Sequence, residues 1–128
     1  MSLRQSLSIM VVDDMSVSRG LITMALDQIG VSNYATENSG ESAWKKLVAA
    51  PVHLVISDYN MPGMDGLALL AALRQHRATQ RIGFILVSGR IDNDMIAKGR
   101  QLGLNNFLKK PFDVPAFRRC IEQVTGPL

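Results

Sequence analysis

The 128-residue sequence contains little cysteine, few aromatic residues and no long apolar run. Because Cys120 is the single cysteine, no internal disulfide bond can form. A membrane-spanning helix needs about 20 consecutive apolar residues, and the apolar runs here are far shorter. The amino-terminal run ends at Asp13 and Asp14 without a small-residue cleavage site, so we predict no secretory signal. These absences favour a cytoplasmic protein.

The sequence also lacks a dense cluster of basic charge. Its formal net charge is +3, but the basic residues are spread along the chain in ones and twos, and aromatic residues do not alternate with them. We therefore expect solvated helix faces and no direct nucleic-acid or membrane partner. With 47% hydrophobic and 20% charged residues, positions 1–128 have the length and composition of one globular domain.

Short apolar runs alternate along the chain with longer amphipathic segments. The runs predict five strands, at residues 8–13, 33–37, 53–57, 82–87 and 106–109. A helix follows each strand. The first is predicted from an N-cap at Ser16 to about residue 29, with one apolar face formed by Val17, Leu21, Met24 and Ala25. The others begin near Ser39, span residues 66–76, end at Gly103 and follow Pro111.

This alternation predicts an α/β fold, because parallel strands need crossover connections. Right-handed crossovers place helices on both faces of a doubly wound, five-stranded parallel sheet. In such sheets, ligands bind outside the carboxyl ends of the strands. Polar residues follow the predicted strands there, and they are Asp13, Asp14, Asp58, Ser88 and Lys110.

The three carboxylates at this edge predict a metal site. Two like charges about 4 Å apart repel by roughly 4 kcal/mol at an effective dielectric constant near 20, so a cation or protons must offset them. The ligands are oxygen atoms alone, which favours a hard cation, Mg²⁺ or Mn²⁺. The backbone carbonyl of Asn60 is a further candidate ligand, since the pair Pro62-Gly63 predicts a tight turn beside Asp58.

Asp58 is the predicted nucleophile, because a carboxylate beside Mg²⁺ can attack a phosphoryl group and form an acyl phosphate. Lys110 supplies a positive charge to one phosphoryl oxygen, and Ser88 donates a hydrogen bond to another. The peptide bond before Pro111 is a candidate cis bond that directs Lys110 inward. Taken singly, these residues are explained by a salt bridge or a strand end, but their coincidence at strand ends favours one site.

At these residues the sequence resembles the receiver domains of response regulators, in particular the chemotaxis-type, CheY-like ones. The resemblance rests on four segments in family order, which are Val-Val-Asp-Asp, Asp-Tyr-Asn-Met-Pro-Gly-Met-Asp-Gly, the hydroxyl at Ser88 and Lys-Lys-Pro-Phe. It covers nearly the whole chain. It implies a flavodoxin-like fold with strand order 2-1-3-4-5, and a non-enzymatic phosphorelay module that is a monomer or weak homodimer.

The resemblance also implies roles for individual residues. Asp58 accepts a phosphoryl group from a sensor histidine kinase or a histidine phosphotransfer protein, and Asp14 is the more direct Mg²⁺ ligand of the acidic pair. Ser88 and Phe107 take the switch positions, which control a partner-binding surface made by helix 4, strand 5 and helix 5. Phe107 lacks the hydroxyl group of a tyrosine. Arg90 lies two residues past Ser88, where we expect it to contact the phosphoryl group or exclude water from it.

Other interpretations stay open at this stage. The chain could be a pseudo-receiver that binds partners without phosphorylation, or a receiver fragment of a larger regulator or hybrid kinase. An aspartate-nucleophile phosphatase needs a second acid two residues after the nucleophile, and that position holds Asn60. A flavin or nucleotide binder needs a Gly-rich loop after the first strand, which is absent.

Overall fold

Residues 3–128 are described in a computed structural model. Within this range the strands are β1 (Ile9–Val12), β2 (Tyr34–Glu37), β3 (Leu54–Asp58), β4 (Gly83–Ser88) and β5 (Asn106–Lys109). The helices are α1 (Leu3–Ser6), α2 (Ser16–Gln28), α3 (Gly40–Ala49), α4 (Gly66–Gln75), α5 (Asn93–Gln101) and α6 (Val114–Thr125). Among these residues no helix has the length and apolar character needed to cross a membrane.

All strand pairs are parallel, and the order is β2-β1-β3-β4-β5. The predicted fold and strand order are therefore confirmed. The register aligns the carboxyl ends of the central strands, since Val12 lies opposite Ser57, and Asp58 lies opposite Val87. At the next pair Ser88 lies opposite Lys109. Polar residues from distant parts of the chain thus meet at one edge of the sheet.

The sheet separates two apolar cores, because successive side chains of a strand point to opposite faces. On β1, Ile9 and Val11 pack in one core with α2 and α6, whereas Met10 and Val12 pack in the other with α3, α4 and α5. All four β1 residues are buried. This explains why the strand is continuously apolar, as expected for a parallel sheet covered on both faces.

Four helices begin at a polar side-chain cap. Ser39, Asp65, Asp92 and Asp113 each accept a hydrogen bond from the backbone N–H three residues later, at the start of α3, α4, α5 and α6. Such caps satisfy N–H groups that have no partner within the helix. They start each helix directly after the loop that leaves the carboxyl edge of the sheet, so the loops around the site stay short.

Helix α2 differs from the prediction at its first residue and in its buried face. The N-cap position is Met15, without a side-chain cap, and Ser16 is the first helical residue. The buried residues of the helix are Ile22, Ala25 and Leu26. Val17, Leu21 and Met24, which were predicted to share a face with Ala25, are 74%, 58% and 57% exposed, and Met15 is 62% exposed. We call Met15, Val17, Leu21 and Met24 the α2 apolar face.

The sequence carries two apolar stripes on this helix, one from Val17 through Met24 and one from Ile22 through Ile29. Helical periodicity alone does not decide which of the two faces the sheet.

The short helix α1 was also not predicted, so the predicted helix 4–strand 5–helix 5 surface corresponds to α5, β5 and α6 in the structure.

Candidate functional site

Three aspartates meet at the carboxyl edge of the sheet. Asp13 directly follows β1, and Asp58 is the last residue of β3. Together with Asp14, each offers a carboxylate oxygen, and these oxygens all lie within 4.8 Å of one another. Asp13 is fully buried and Asp58 is 7% exposed, whereas Asp14 is exposed. The cluster is thus anchored in the core on one side and open to solvent on the other.

Lys110 brings a positive charge to these carboxylates. It follows β5, and its ammonium nitrogen lies 3.3 Å from Oδ1 of Asp58 and 3.4 Å from Oδ2 of Asp13. The Lys110–Pro111 peptide bond is cis, as predicted. The structure therefore joins β1, β3 and the segment after β5 in one cluster of charges.

Burial raises the pKa of the Asp58 carboxyl, the Lys110 ammonium lowers it, and the charge of Asp13 raises it again. The net direction is upward because removal from water disfavours the ionised form most strongly. The backbone N–H of Tyr59 donates to Asp58 Oδ1 at 2.9 Å and holds the carboxylate in place. Asp58 is therefore an oriented carboxylate that gains stability from any added positive charge.

The hydroxyl of Ser88 is engaged in the turn after β4. It donates to the carbonyl oxygen of Arg90 at 2.8 Å and accepts from the N–H of Arg90 at 3.2 Å. The Arg90 side chain is 90% exposed and lies 3.9 Å from the carboxylate of Asp92. Tyr59, Asn60, Ser88 and Arg90 line one cleft beside Asp58. In this arrangement Ser88 stabilises its own loop.

The loop after Asp58 is held close to β3. The N–H of Gly66 donates to the carbonyl oxygen of Tyr59 at 3.0 Å, and a Cβ atom at Gly66 would lie 2.4 Å from the carbonyl oxygen of Asp58. On the other side, the N–H of Met64 donates to Glu41 Oε1 at 2.9 Å. The absence of a side chain at Gly66 lets α4 begin against the backbone of the candidate nucleophile.

The remaining predicted residues lie at different distances from the cluster. Asn60 is exposed in the loop that follows Asp58. Phe107 lies on β5, where it is partly buried against the core on the α3–α5 side of the sheet and lines a shallow groove with Ile96 and Leu104. The structure thus brings Asp13, Asp14, Asp58 and Lys110 together, whereas Phe107 belongs to the surface beside them.

Two residues of α2 at this site were missed by the sequence analysis. The hydroxyl oxygen of Ser18 lies 2.7 Å from the Lys110 ammonium nitrogen. The Arg19 guanidinium donates to the carbonyl oxygen of Asp13 at 2.7 Å. The spacing from Asp14 to Ser18 is one helical turn, but Asp14 precedes the helix, so this signal was weak.

Comparison with known proteins agrees with the fold. The chain is similar to a probable chemotaxis protein CheY from Rhizobium etli and to the chemotaxis protein CheY from Pseudomonas aeruginosa. The first is 38% identical over 128 residues, which cover 100% of this chain and 99% of the relative. The second is 30% identical over 118 residues, which cover 92% of this chain and 95% of the relative.

Solved structures share the fold. Vibrio cholerae chemotaxis protein CheY4 superposes with a TM-score of 0.85 at 24% identity, covering 92% of this chain and 98% of the other. A second structure is the receiver domain of a Pseudomonas aeruginosa sensor histidine kinase, which has a magnesium ion coordinated in its active-site cleft. It superposes with a TM-score of 0.84 at 21% identity, covering 94% of this chain and 98% of the other. Residues 9–122 match the sequence model of the response regulator receiver domain. The chain therefore belongs to the response regulator receiver domain family.

Proposed function

We propose that Asp58 is the phosphoacceptor of this receiver domain and that a sensor histidine kinase or a histidine phosphotransfer protein is its donor. Receiver domains accept phosphoryl groups in two-component signalling. The observation that carries the assignment is the Lys110 ammonium 3.3 Å from Asp58, at the edge of a three-aspartate cluster. Of these carboxylates, Asp58 is the one at the end of the central strand β3, and it is 7% exposed.

In the proposed reaction an Asp58 carboxylate oxygen forms a bond to the phosphorus atom of the donor phosphohistidine. The phosphorus–nitrogen bond breaks, and its electron pair stays on the imidazole ring. Such transfer depends on positioning and charge neutralisation rather than on covalent help from other residues. Lys110 then pairs with a phosphoryl oxygen in place of the free carboxylate, since an ammonium group can exchange partners at little geometric cost.

The donor set fits a hard divalent cation, and we propose Mg²⁺, or Mn²⁺ in its place. Asp13, Asp14 and Asp58 offer oxygen ligands only, with Asp14 exposed on the open side of the cluster. The backbone carbonyl of Asn60 is the fourth proposed ligand. When bound, the ion neutralises negative charge on the phosphoryl oxygens. The magnesium ion in the related kinase receiver domain supports this assignment.

The output surface is proposed to be formed by α5, β5 and α6. Ser88 ends β4, and Phe107 lies on the neighbouring strand β5, which belongs to this surface. Phosphorylation of Asp58 gives Ser88 a new acceptor, so that its hydroxyl exchanges the Arg90 carbonyl for a phosphoryl oxygen. Phe107 then turns inward, and a downstream protein binds the altered surface. Such a switch is a shift between two populations that the phosphoryl group stabilises differently.

We infer that the phosphodonor protein docks on the α2 apolar face. Leu21 and Met24 line a groove with Phe112 and Val114, and Lys110, which contacts Asp58, also lines it. Because Lys110 both lines this groove and contacts Asp58, a donor protein bound along this face can bring its phosphohistidine to Asp58. An exposed apolar patch on a soluble domain is typical of an interaction site.

Phosphorylation is tested directly with a small phosphodonor. We expect incubation with Mg²⁺ and acetyl phosphate to add the mass of one phosphoryl group. Asp58→Asn loses this gain, and the control Asp94→Asn, an exposed carboxylate on α5, keeps it. No gain in the wild-type protein, or a gain in Asp58→Asn, contradicts the proposal and leaves the phosphorylation-independent pseudo-receiver.

The predictions about domain organisation, location, oligomeric state and partners remain proposals. They are a single domain at residues 1–128 without an enzymatic activity on other substrates, a cytoplasmic location, a monomer or weak homodimer, and no direct nucleic-acid or membrane partner. Whether the receiver acts alone or within a larger regulator or hybrid kinase is decided by the length of the natural chain. Steady release of phosphate from small phosphate esters by the wild-type protein would contradict the non-enzymatic assignment.

A further inference from the structure

The shortest contact of the Lys110 ammonium is with a serine that the proposed chemistry does not use. Its nitrogen lies 2.7 Å from Ser18 Oγ, compared with 3.3 Å from Asp58 and 3.4 Å from Asp13. Ser18 and Lys110 are 92 positions apart in the chain. An ammonium group has three N–H donors, so these three oxygens account for all of them.

Lys110 needs such a contact because its side chain is long and 26% exposed. A free lysine side chain has many rotamers, and contacts of 3.3 Å and 3.4 Å with the two carboxylates restrict them less than a shorter contact does. A short hydrogen bond does select one, since it requires a particular distance and direction. Ser18 therefore restricts the position of the ammonium more than either carboxylate does.

Ser18 is itself well placed to hold a partner. It is the third residue of α2, is partly buried, and lines the same groove as Lys110. The start of α2 is fastened to the acidic cluster by the neighbouring Arg19, which donates to the carbonyl oxygen of Asp13. Asp13 also accepts a hydrogen bond from the N–H of Met15 through its carboxylate. The serine thus projects from an element that is tied to the site.

We propose that Ser18 is a positioning residue that holds the Lys110 ammonium beside Asp58 for phosphoryl transfer. This inference rests on the proposed function of Asp58. A neutral hydroxyl suits the role, because it orients the ammonium without adding to the negative charge of the three aspartates, which would compete with the phosphoryl oxygens. An alanine at this position leaves one N–H of Lys110 to water and frees the side chain to leave the site.

Three variants test the role of Ser18 in phosphorylation by acetyl phosphate and Mg²⁺. We expect Ser18→Ala to slow the initial rate about threefold to tenfold, the range that corresponds to loss of one net hydrogen bond. Ser18→Thr keeps the hydroxyl and keeps the rate within about twofold of wild type. The control Ser16→Ala makes the same chemical change at an exposed position two residues earlier on α2 and leaves the rate unchanged. Urea unfolding verifies that every variant is folded.

A second readout reports on Lys110 without any phosphodonor. The rate at which an N-hydroxysuccinimide ester acylates Lys110 is measured by peptide fragmentation, with the exposed neighbour Lys109 as the internal reference. Ser18→Ala is expected to raise the ratio of Lys110 to Lys109 labelling, whereas Ser18→Thr and Ser16→Ala leave it unchanged. A merely structural role for Ser18 does not predict rescue by threonine in both readouts.

The two readouts separate the possible failures. If wild-type protein is phosphorylated but Ser18→Ala reacts as fast, or Ser18→Thr is as slow as Ser18→Ala, the positioning role is wrong and the proposed function stands. If wild-type protein is not phosphorylated at all, the proposed function fails. In that case the labelling ratio still tests the contact between Ser18 and Lys110. An unchanged ratio in Ser18→Ala shows that the serine does not hold the lysine. A raised ratio shows that the serine holds the lysine but has no role in phosphoryl transfer.

Discussion

The Lys110 ammonium nitrogen lies 3.3 Å from a carboxylate oxygen of Asp58, although the two residues are 52 positions apart. The same ammonium lies 3.4 Å from Asp13, which comes from a third part of the chain. Both carboxylates are buried, so their mutual repulsion is less screened than at an exposed site. Lys110 offsets part of it, and the remaining charge makes the site receptive to a cation.

Asp58 is expected to destabilise the folded protein at neutral pH. Burial raises its pKa, Lys110 lowers it, and Asp13 raises it further. The folded state therefore binds a proton that the unfolded chain has lost, and stability falls as the pH rises from the ordinary carboxyl pKa through the raised one. In EDTA at pH 7, we expect Asp58→Asn to increase the free energy of unfolding by roughly 1 kcal/mol.

Urea unfolding over a pH series measures this effect. Below about pH 3 the carboxyl is largely protonated in both states, and the advantage of Asp58→Asn is expected to disappear. If Asp58→Asn is less stable than wild type at pH 7, the ionised carboxylate does not destabilise the folded state. The same conclusion follows if the variant keeps its full stability advantage over wild type at low pH.

Mg²⁺ is expected to stabilise the protein against heat. At ten times its dissociation constant, a ligand that binds only the folded state adds about 1.4 kcal/mol. For a domain of this size that corresponds to a rise in Tm of about 5 °C. Asp14→Asn should reduce this rise. The matched variant Asp94→Asn removes an exposed charge outside the cluster and should keep it. An equal rise in both variants argues against a site at the three aspartates.

Gly66 is expected to tolerate no side chain. A Cβ atom there meets the Asp58 carbonyl oxygen at 2.4 Å and Leu86 Cδ1 at 2.7 Å, and backbone atoms move less easily than side chains. Gly66→Ala should lower the free energy of unfolding by about 1–3 kcal/mol and slow phosphorylation of Asp58. In the helical control Gly20→Ala, the new Cβ meets nothing within 4 Å. That change should stabilise the protein by about 0.5–1 kcal/mol, as guanidinium unfolding of both variants can show.

The α2 apolar face is expected to matter only for a protein donor. Met24→Glu places a charge on this face, at a position that is 57% exposed. We expect it to slow transfer from a histidine phosphotransfer protein by about tenfold or more, the effect of losing a large apolar interface contact. Transfer from acetyl phosphate should stay unchanged. Ala68→Glu, an exposed position on α4, serves as the control. Equal slowing with both donors would show damage to the site instead of to docking.

Arg90 is expected to influence the lifetime of the phosphorylated state but not the fold. Its side chain is 90% exposed, and its contact with Asp92 at 3.9 Å is a weak surface ion pair. Arg90→Ala should change the free energy of unfolding by less than about 0.5 kcal/mol. If the side chain excludes water from the phosphoryl group, the same variant loses phosphate faster after the donor is removed. An unchanged rate of dephosphorylation eliminates this role.

The positions of the strand ends were predictable from the sequence. The buried run before Asp13, the run before Asp58 and the run before Ser88 are each apolar and short, and the loops after them are polar. In a parallel sheet the carboxyl ends of such runs share one edge, so the candidate residues could be chosen before any distance was known. Lys110 followed from the same rule after the fifth run.

The orientation of side chains at that edge was decided by the tertiary structure. Helix α2 carries two apolar stripes, and packing against the sheet buries Ile22 while leaving Leu21 and Met24 in solvent. The same rotation turns Ser18 toward Lys110. A periodic pattern specifies that a helix has an apolar face, but the rotation depends on the shapes of the side chains it meets. The amino-acid sequence by itself thus determined the fold and the site residues that follow the strands, but not Ser18 and Arg19 of α2. Only the folded chain decided which partners they have, because those contacts join segments far apart in sequence.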